Sequence, residues 1–294
     1  MTDLPRFSGH LPCRRIRPAT SGHAAKALWV WGAPSVAILL AIGMLAGLHG
    51  GNVASLAHWP AHQASFLELN ARLSGLPSTW WSVVTLFGDA YVLVPLLALV
   101  LLNRPMAWAA ILASAPAGIL FSRGLKHWTH VPRPAAVLNH DLFTIIGPTL
   151  DSSNSLPSGH TTVAFAVMTA VLATWVPAPR RRMEWALLGS GLLVATLVAL
   201  SRVAAGAHWP IDVATGAAGG SLAGLSGFAL ARFKAWWEWL FLGSGRYAVS
   251  AILLVAGMLL WLRLDDQLLN SVVFKLAGLA ALGEGVMLLA SADR

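Results

Sequence analysis

Apolar and polar positions along the chain alternate on a long period. Apolar runs fall at about Leu28–Leu48, Trp80–Leu102, Met106–Leu125, Ser158–Val176, Trp185–Leu200, Ile211–Leu230, Tyr247–Leu262 and Leu268–Leu289. Crossing a bilayer takes roughly 20 apolar residues in an α-helix. The pattern therefore predicts an all-α polytopic membrane bundle, with a core of six spans and one or two additional spans at the C-terminal end. The last run holds Lys275 and Glu284, which is why the second extra span is left open. The chain divides into a basic tail (1–27), the six-span core (28–232) and a further transmembrane region (233–294). Between the first two runs, Phe66, Leu67, Leu69, Leu73 and Leu76 share one face of a short helix. That helix either rests on the bilayer or simply connects the spans. Asp89 lies inside the second run and is expected to face protein or water, either as a structural hydrogen-bond acceptor, the favoured role, or as a secondary site residue. Gly216, Gly220 and Gly224 have the small-xxx-small spacing that lets helices pack closely.

Composition agrees with this reading. Of 294 residues, 56% are hydrophobic and 11% charged, which excludes an ordinary soluble domain. The net charge of +8 does not call for nucleic acid, because the basic residues sit in the gaps between apolar runs. The tail, Arg104, Arg180 to Arg182, Arg232, Lys234 and Arg246 fall on one side of the predicted membrane, and that side is expected to be cytoplasmic. On the opposite side, Lys126, Arg133 and Arg202 run against the charge rule, so they are expected to bind an anion. The single Cys13 offers neither an internal disulfide nor a thiolate metal cluster. The first apolar run starts too far in and is too long for a cleaved signal, and is expected to stay as an anchor.

The gap between the fifth and sixth runs reads Ser201-Arg202-Val203-Ala204-Ala205-Gly206-Ala207-His208-Trp209-Pro210-Ile211-Asp212. Pro210 suits the first turn of a helix, which places Asp212 in that turn and His208 just before it. A carboxylate at that spacing can hold one imidazole nitrogen and leave the other free to attack. Taken alone, the stretch also fits a membrane-edge anchor, with Arg202 and Trp209 at the interface. Two more polar stretches fall on the same side. They are Lys126-His127-Trp128-Thr129-His130-Val131-Pro132-Arg133-Pro134 and Pro157-Ser158-Gly159-His160. Lys126, Arg133 and Arg202 bring positive charge, and arginine forks match phosphate oxygens. Ser158 brings a hydroxyl, and Gly159 a backbone N–H at a helix start, where the dipole favours anions. Two histidines, His160 and His208, suggest that one attacks phosphorus while the other protonates the departing oxygen.

Lys-x6-Arg-Pro, Pro-Ser-Gly-His and Ser-Arg-x5-His-x3-Asp stand here in order. With them the chain resembles the type 2 phosphatidic acid phosphatase (PAP2) superfamily over roughly Trp80 to Arg232. The resemblance implies a membrane phosphatase with His208 as nucleophile, a phosphohistidine intermediate and Asp212 orienting the nucleophile. It implies His160 as the acid, with Lys126, Arg133, Ser158, Gly159 and Arg202 holding the phosphoryl oxygens. It also implies that no metal or other cofactor is needed. The expected partners are a lipid phosphate or pyrophosphate and the bilayer, with no nucleic acid; the oligomeric state is left unknown. Similar bacterial proteins suggest undecaprenyl pyrophosphate as substrate, at the periplasmic face of the inner membrane. The alternatives are lipid A, phosphatidylglycerol phosphate or phosphatidic acid as substrate, transfer to another lipid rather than to water, and a non-catalytic lipid-binding or transport protein. Trp128 and Trp209 are expected to anchor the interface. His127, His130, His140, Asp141 and Asp151 are expected in loop or interfacial roles, and Ser201 as support for the site.

Overall fold

The computed structural model describes residues 30, 32–101, 104–176, 179–232, 237–240 and 243–290. The basic tail, with Cys13, lies outside the described residues, as does Lys234. The described chain is all-α. Its helices are α1 (Ala33–Leu48), α2 (Pro60–Leu73), α3 (Ser78–Leu86), α4 (Ala90–Leu101), α5 (Pro105–Thr129), α6 (Pro134–Val137), α7 (Gly159–Trp175), α8 (Arg182–Ala204), α9 (Pro210–Ala231), α10 (Gly245–Leu262) and α11 (Leu268–Ala290).

Every predicted apolar run contains a helix, but the runs are not equivalent. Five helices are long and apolar enough to cross a membrane, and α3 with α4 would make a sixth. The run predicted as one span over Trp80–Leu102 is instead broken, with α3 and α4 bent by 71°. Gly88 and Asp89 sit at the break, where the backbone leaves helical geometry. The shorter apolar helices α1 and α7 have 16 and 17 residues, or roughly 25 Å each. α7 lies in the middle of the bundle with nearly all its side chains buried, so it meets helices where the others meet lipid. Large apolar side chains such as Leu193, Leu259, Leu262 and Leu276 are exposed on α8, α10 and α11, as a lipid-facing surface requires. The chain is an integral membrane protein.

The core is the packing of α9 against α7 and α5, with α8 on α7 and α1 on α9. Glycine makes it possible. A Cβ at Gly216 would lie 2.8 Å from Ser158 O, at Gly220 2.4 Å from Thr162 O, and at Gly224 2.5 Å from Ala166 O. The predicted small-residue stripe thus lies directly on the α7 backbone. Gly220→Val should destabilise the fold by at least about 2 kcal/mol, because the contact atom is backbone and cannot swing away. A thermal-unfolding midpoint in detergent close to that of the wild type would refute this packing account.

The C-terminal helices α10 and α11 form a hairpin with a close crossing, where a Cβ at Gly257 would meet Gly278 O at 2.9 Å. α11 packs on α4 and α3. The apolar face of α2 packs on protein. Phe66, His62 and Asn70 are buried, and Asn70 donates to the carbonyls of Thr144, Val203 and Ala204 while accepting from Thr144 N. Its apolar face covers the polar end of the bundle, although Leu76 remains exposed.

Candidate active site

Antiparallel packing gathers four helix ends at one end of the bundle. These are the last turns of α5 and α8 and the first turns of α7 and α9, which carry the three polar stretches. Arg104, by contrast, lies over the Trp175 ring at the other end, 5.9 Å from its centroid. The α5 and α8 helices run further than hydropathy indicated. Lys126 and Arg202 therefore project from helical last turns rather than from loops.

The α8–α9 turn is built as its sequence requires. Gly206 takes φ +69°, and a Cβ there would sit 2.8 Å from Thr144 O, so only glycine fits. Trp209 is the N-cap of α9, Pro210 follows in the first turn, and Asp212 accepts from the Trp209 N–H at 2.9 Å. Asp212 Oδ2 also accepts from Ser155 Oγ at 2.5 Å and lies 3.3 Å from His208 Nδ1. Both side chains are buried. Nδ1 thus carries the proton toward Asp212, and the Nε2 lone pair is left pointing away. Arg133 Nη1 lies 3.4 Å from that nitrogen and donates to Ala207 O at 2.9 Å.

Backbone bonds hold the other two stretches against this turn. Arg133 N donates to Ser152 O, Ser155 N to Val131 O, and Ser158 N to Asp212 O. Lys126 Nζ donates to Asn154 O at 2.5 Å, and Arg133 Nε to Asn154 Oδ1 at 3.0 Å. Ser158 caps α7, with its hydroxyl accepting from the Thr161 hydroxyl at 3.0 Å. The Gly159 and His160 N–H groups follow it in the first turn, where a helix has no acceptor of its own. Arg202 Nη1 donates to Thr85 Oγ1 at 2.6 Å. Its Nε is buried without a hydrogen-bond partner among the described residues. A cavity of about 600 Å³ opens beside Arg202, walled by Trp81, Thr85, Ile146, Asp265 and Gln267.

His208 feels all of these groups. Burial, and then the charges of Arg133, Arg202, Lys126 and His160, hold its imidazole well below the ordinary value of 6.5. It is neutral at physiological pH. The three cations and two imidazoles therefore share one electrostatic field.

Several partners were not evident in the sequence. Asp89 was expected to be structural, yet its Oδ1 lies 3.2 Å from His160 Nε2. The bend at Gly88 brings it there, and a Cβ at Gly88 would overlap the His160 side chain at 2.5 Å. Ser155, Asn154 and Thr85 sit outside the motifs, and only the fold brings them in. Trp209 is no interfacial anchor. It is fully buried, donates to Pro132 O at 2.7 Å, and packs against His62 and Phe66. Trp128 is exposed. Ser201 turns back to Val198 O within its own helix.

No curated protein matches the chain. The crystal structure of Aquifex aeolicus LpxE is similar to it at 26% identity and a TM-score of 0.46, covering 55% of this chain and 94% of that one. Residues 105–239, which hold all three polar stretches, match the PAP2 superfamily.

Proposed function

We propose that this protein is a lipid phosphatase that uses His208 as its nucleophile. The observation that supports this most is the buried Asp212–His208 pair, with the free Nε2 lone pair turned toward Arg133. Lys126, Arg133 and Arg202 grip the phosphoryl oxygens, together with Ser158 and the N–H groups that open α7. Their preorganised charge stabilises the transition state. The Nε2 lone pair forms a bond to phosphorus as the P–O bond to the lipid breaks. The electron pair of that bond goes to the leaving oxygen, which takes a proton from His160. Water then attacks the phosphohistidine and gives a proton to His160, and the P–N electron pair returns to His208. Asp212 orients the imidazole and stabilises its charged form. The cations supply the charge that a metal ion supplies elsewhere, so this reading needs none.

The phosphatase unit on this reading is 28–232, with 233–294 appended to it. The positive gaps at the opposite end support a site on the periplasmic side of a bacterial inner membrane. The substrate proposed is undecaprenyl pyrophosphate, hydrolysed to undecaprenyl phosphate, because recycling that carrier requires an outward-facing phosphatase. A phosphate-release assay on purified protein tests this with a panel of lipid mono- and diphosphates and with EDTA present. Release of inorganic phosphate, fastest from the undecaprenyl diphosphate, is the expected result. A newly phosphorylated lipid acceptor would indicate transfer instead, and loss of turnover on chelation would overturn the metal-free reading.

The pH dependence carries a sign. Since His208 in the fold titrates well below 6.5, protonation of the nucleophile should not limit kcat/KM until the pH is well under that value. The unfolded chain protonates this group first. Folding stability is therefore fully present above about 6.5 and declines as pH falls below it. An acid limb centred at 6.5, after correction for titration of the substrate phosphate, would contradict the buried neutral imidazole.

A further inference from the structure

The C-terminal hairpin lies outside the family match, yet it reaches the site through a continuous hydrogen-bonded chain. Arg263 caps α10. Its guanidinium lies over the buried Phe274 ring, 4.2 Å from the centroid, and 5.5 Å from the Tyr91 ring centroid. Its Nη1 donates to Tyr91 Oη at 2.7 Å. The Tyr91 hydroxyl donates to Asp89 Oδ2 at 2.9 Å, and Asp89 Oδ1 faces His160 Nε2 at 3.2 Å. The hairpin's loop is itself fixed. Asp265 Oδ1 accepts from Gln267 N and Asn270 Nδ2, and Ser82 of α3 donates to Gln267 Oε1.

We propose that Arg263 and Tyr91 are positioning residues that hold Asp89 against His160, so that the C-terminal hairpin sets the orientation of the site's proton donor. This rests on the reading of His160 as the group that protonates the leaving oxygen. A carboxylate with only one oxygen engaged can rotate. Here both are engaged, one by His160 and one by Tyr91. The guanidinium polarises the tyrosine hydroxyl and strengthens its bond to the carboxylate. Asp89 then keeps the Nε2 proton of His160, and Nδ1 is the nitrogen that gives a proton to the leaving oxygen and later takes one from water. Arg263 and Tyr91 are both exposed, and exposed contacts of this kind add little to stability. Their arrangement makes better sense as control of the site than as a fold contact, and their variants should remain folded.

The test is a split by leaving group. An alkyl phosphate must have its departing alkoxide protonated, whereas p-nitrophenyl phosphate releases a stable phenolate with little help. Purified full-length wild type, Arg263→Gln, Tyr91→Phe and the double variant are compared on both substrates. The loss in kcat on alkyl phosphate should exceed that on p-nitrophenyl phosphate by about tenfold or more. The double variant should lose no more than the worse single one, and Arg263→Lys should recover most of the alkyl phosphate rate. Equal losses on the two substrates, or no loss on either, would overturn the relay while leaving the phosphatase reading intact. A wild type inactive on both substrates and on the panel of lipid mono- and diphosphates would remove that reading and the relay with it.

Discussion

His208→Ala releases no measurable phosphate from any lipid phosphate, while the protein still inserts and can be purified. A loss of about 10⁴-fold or more is expected, since removing a nucleophile removes the whole covalent route. The reason lies in the burial of the pair. Asp212 Oδ2 gathers the Ser155 hydroxyl, the Trp209 N–H and the His208 imidazole, which fixes His208 Nε2 on the side of Arg133. His208→Gln, closer in volume, should be just as inactive, which separates chemistry from packing. Phosphate release by either variant within tenfold of wild type would refute the nucleophile assignment.

Arg202→Lys is the second large effect. Arg202 spends one nitrogen on Thr85 and keeps a buried Nε without a partner among the described residues. A planar fork can hold Thr85 and still offer a second donor to a phosphoryl oxygen. A lysine at the end of a flexible stem offers a point charge and must choose. Loss of one preorganised donor to a developing oxyanion costs about 10²-fold in kcat, and that is the expected fall. Arg181→Lys at the opposite end should change turnover by less than about twofold. Equal effects at the two positions would mean that Arg202 acts as bulk positive charge and not as a directed donor.

The bundle and its polar end were legible because charge is expensive inside apolar sequence. Lys126, Arg133, His160, Arg202, His208 and Asp212 stand out against long runs of Leu, Ala and Val. The short spacing of His208 and Asp212 maps onto one helix start, so their contact could be derived. Asp89 was visible as an anomaly, but its partner was not. Hydropathy averaged across Gly88 merges α3 and α4 into one run, and the 71° bend that turns Asp89 toward His160 leaves no periodic trace. Trp209 was misread for a related reason. An aromatic at a membrane edge usually faces lipid, but α2 folds over this end and supplies His62 and Phe66 as neighbours. The apolar face of α2 was read correctly, and its partner was unknown until the chain was folded. Arg263 had no motif to mark it, because its role depends on where the hairpin docks.

One pocket holding one phosphorus between two imidazoles and three cations is the claim on which the rest depends. The most direct measurement is a crystal or cryo-electron microscopy structure of the wild-type protein with orthovanadate, whose five-coordinate form imitates in-line attack. The account predicts vanadium bonded to His208 Nε2, its equatorial oxygens contacted by Lys126, Arg133 and Arg202, and His160 beside the apical oxygen. Vanadate bound elsewhere, or held by the cations with His160 beyond hydrogen-bond reach of every oxygen, would contradict it.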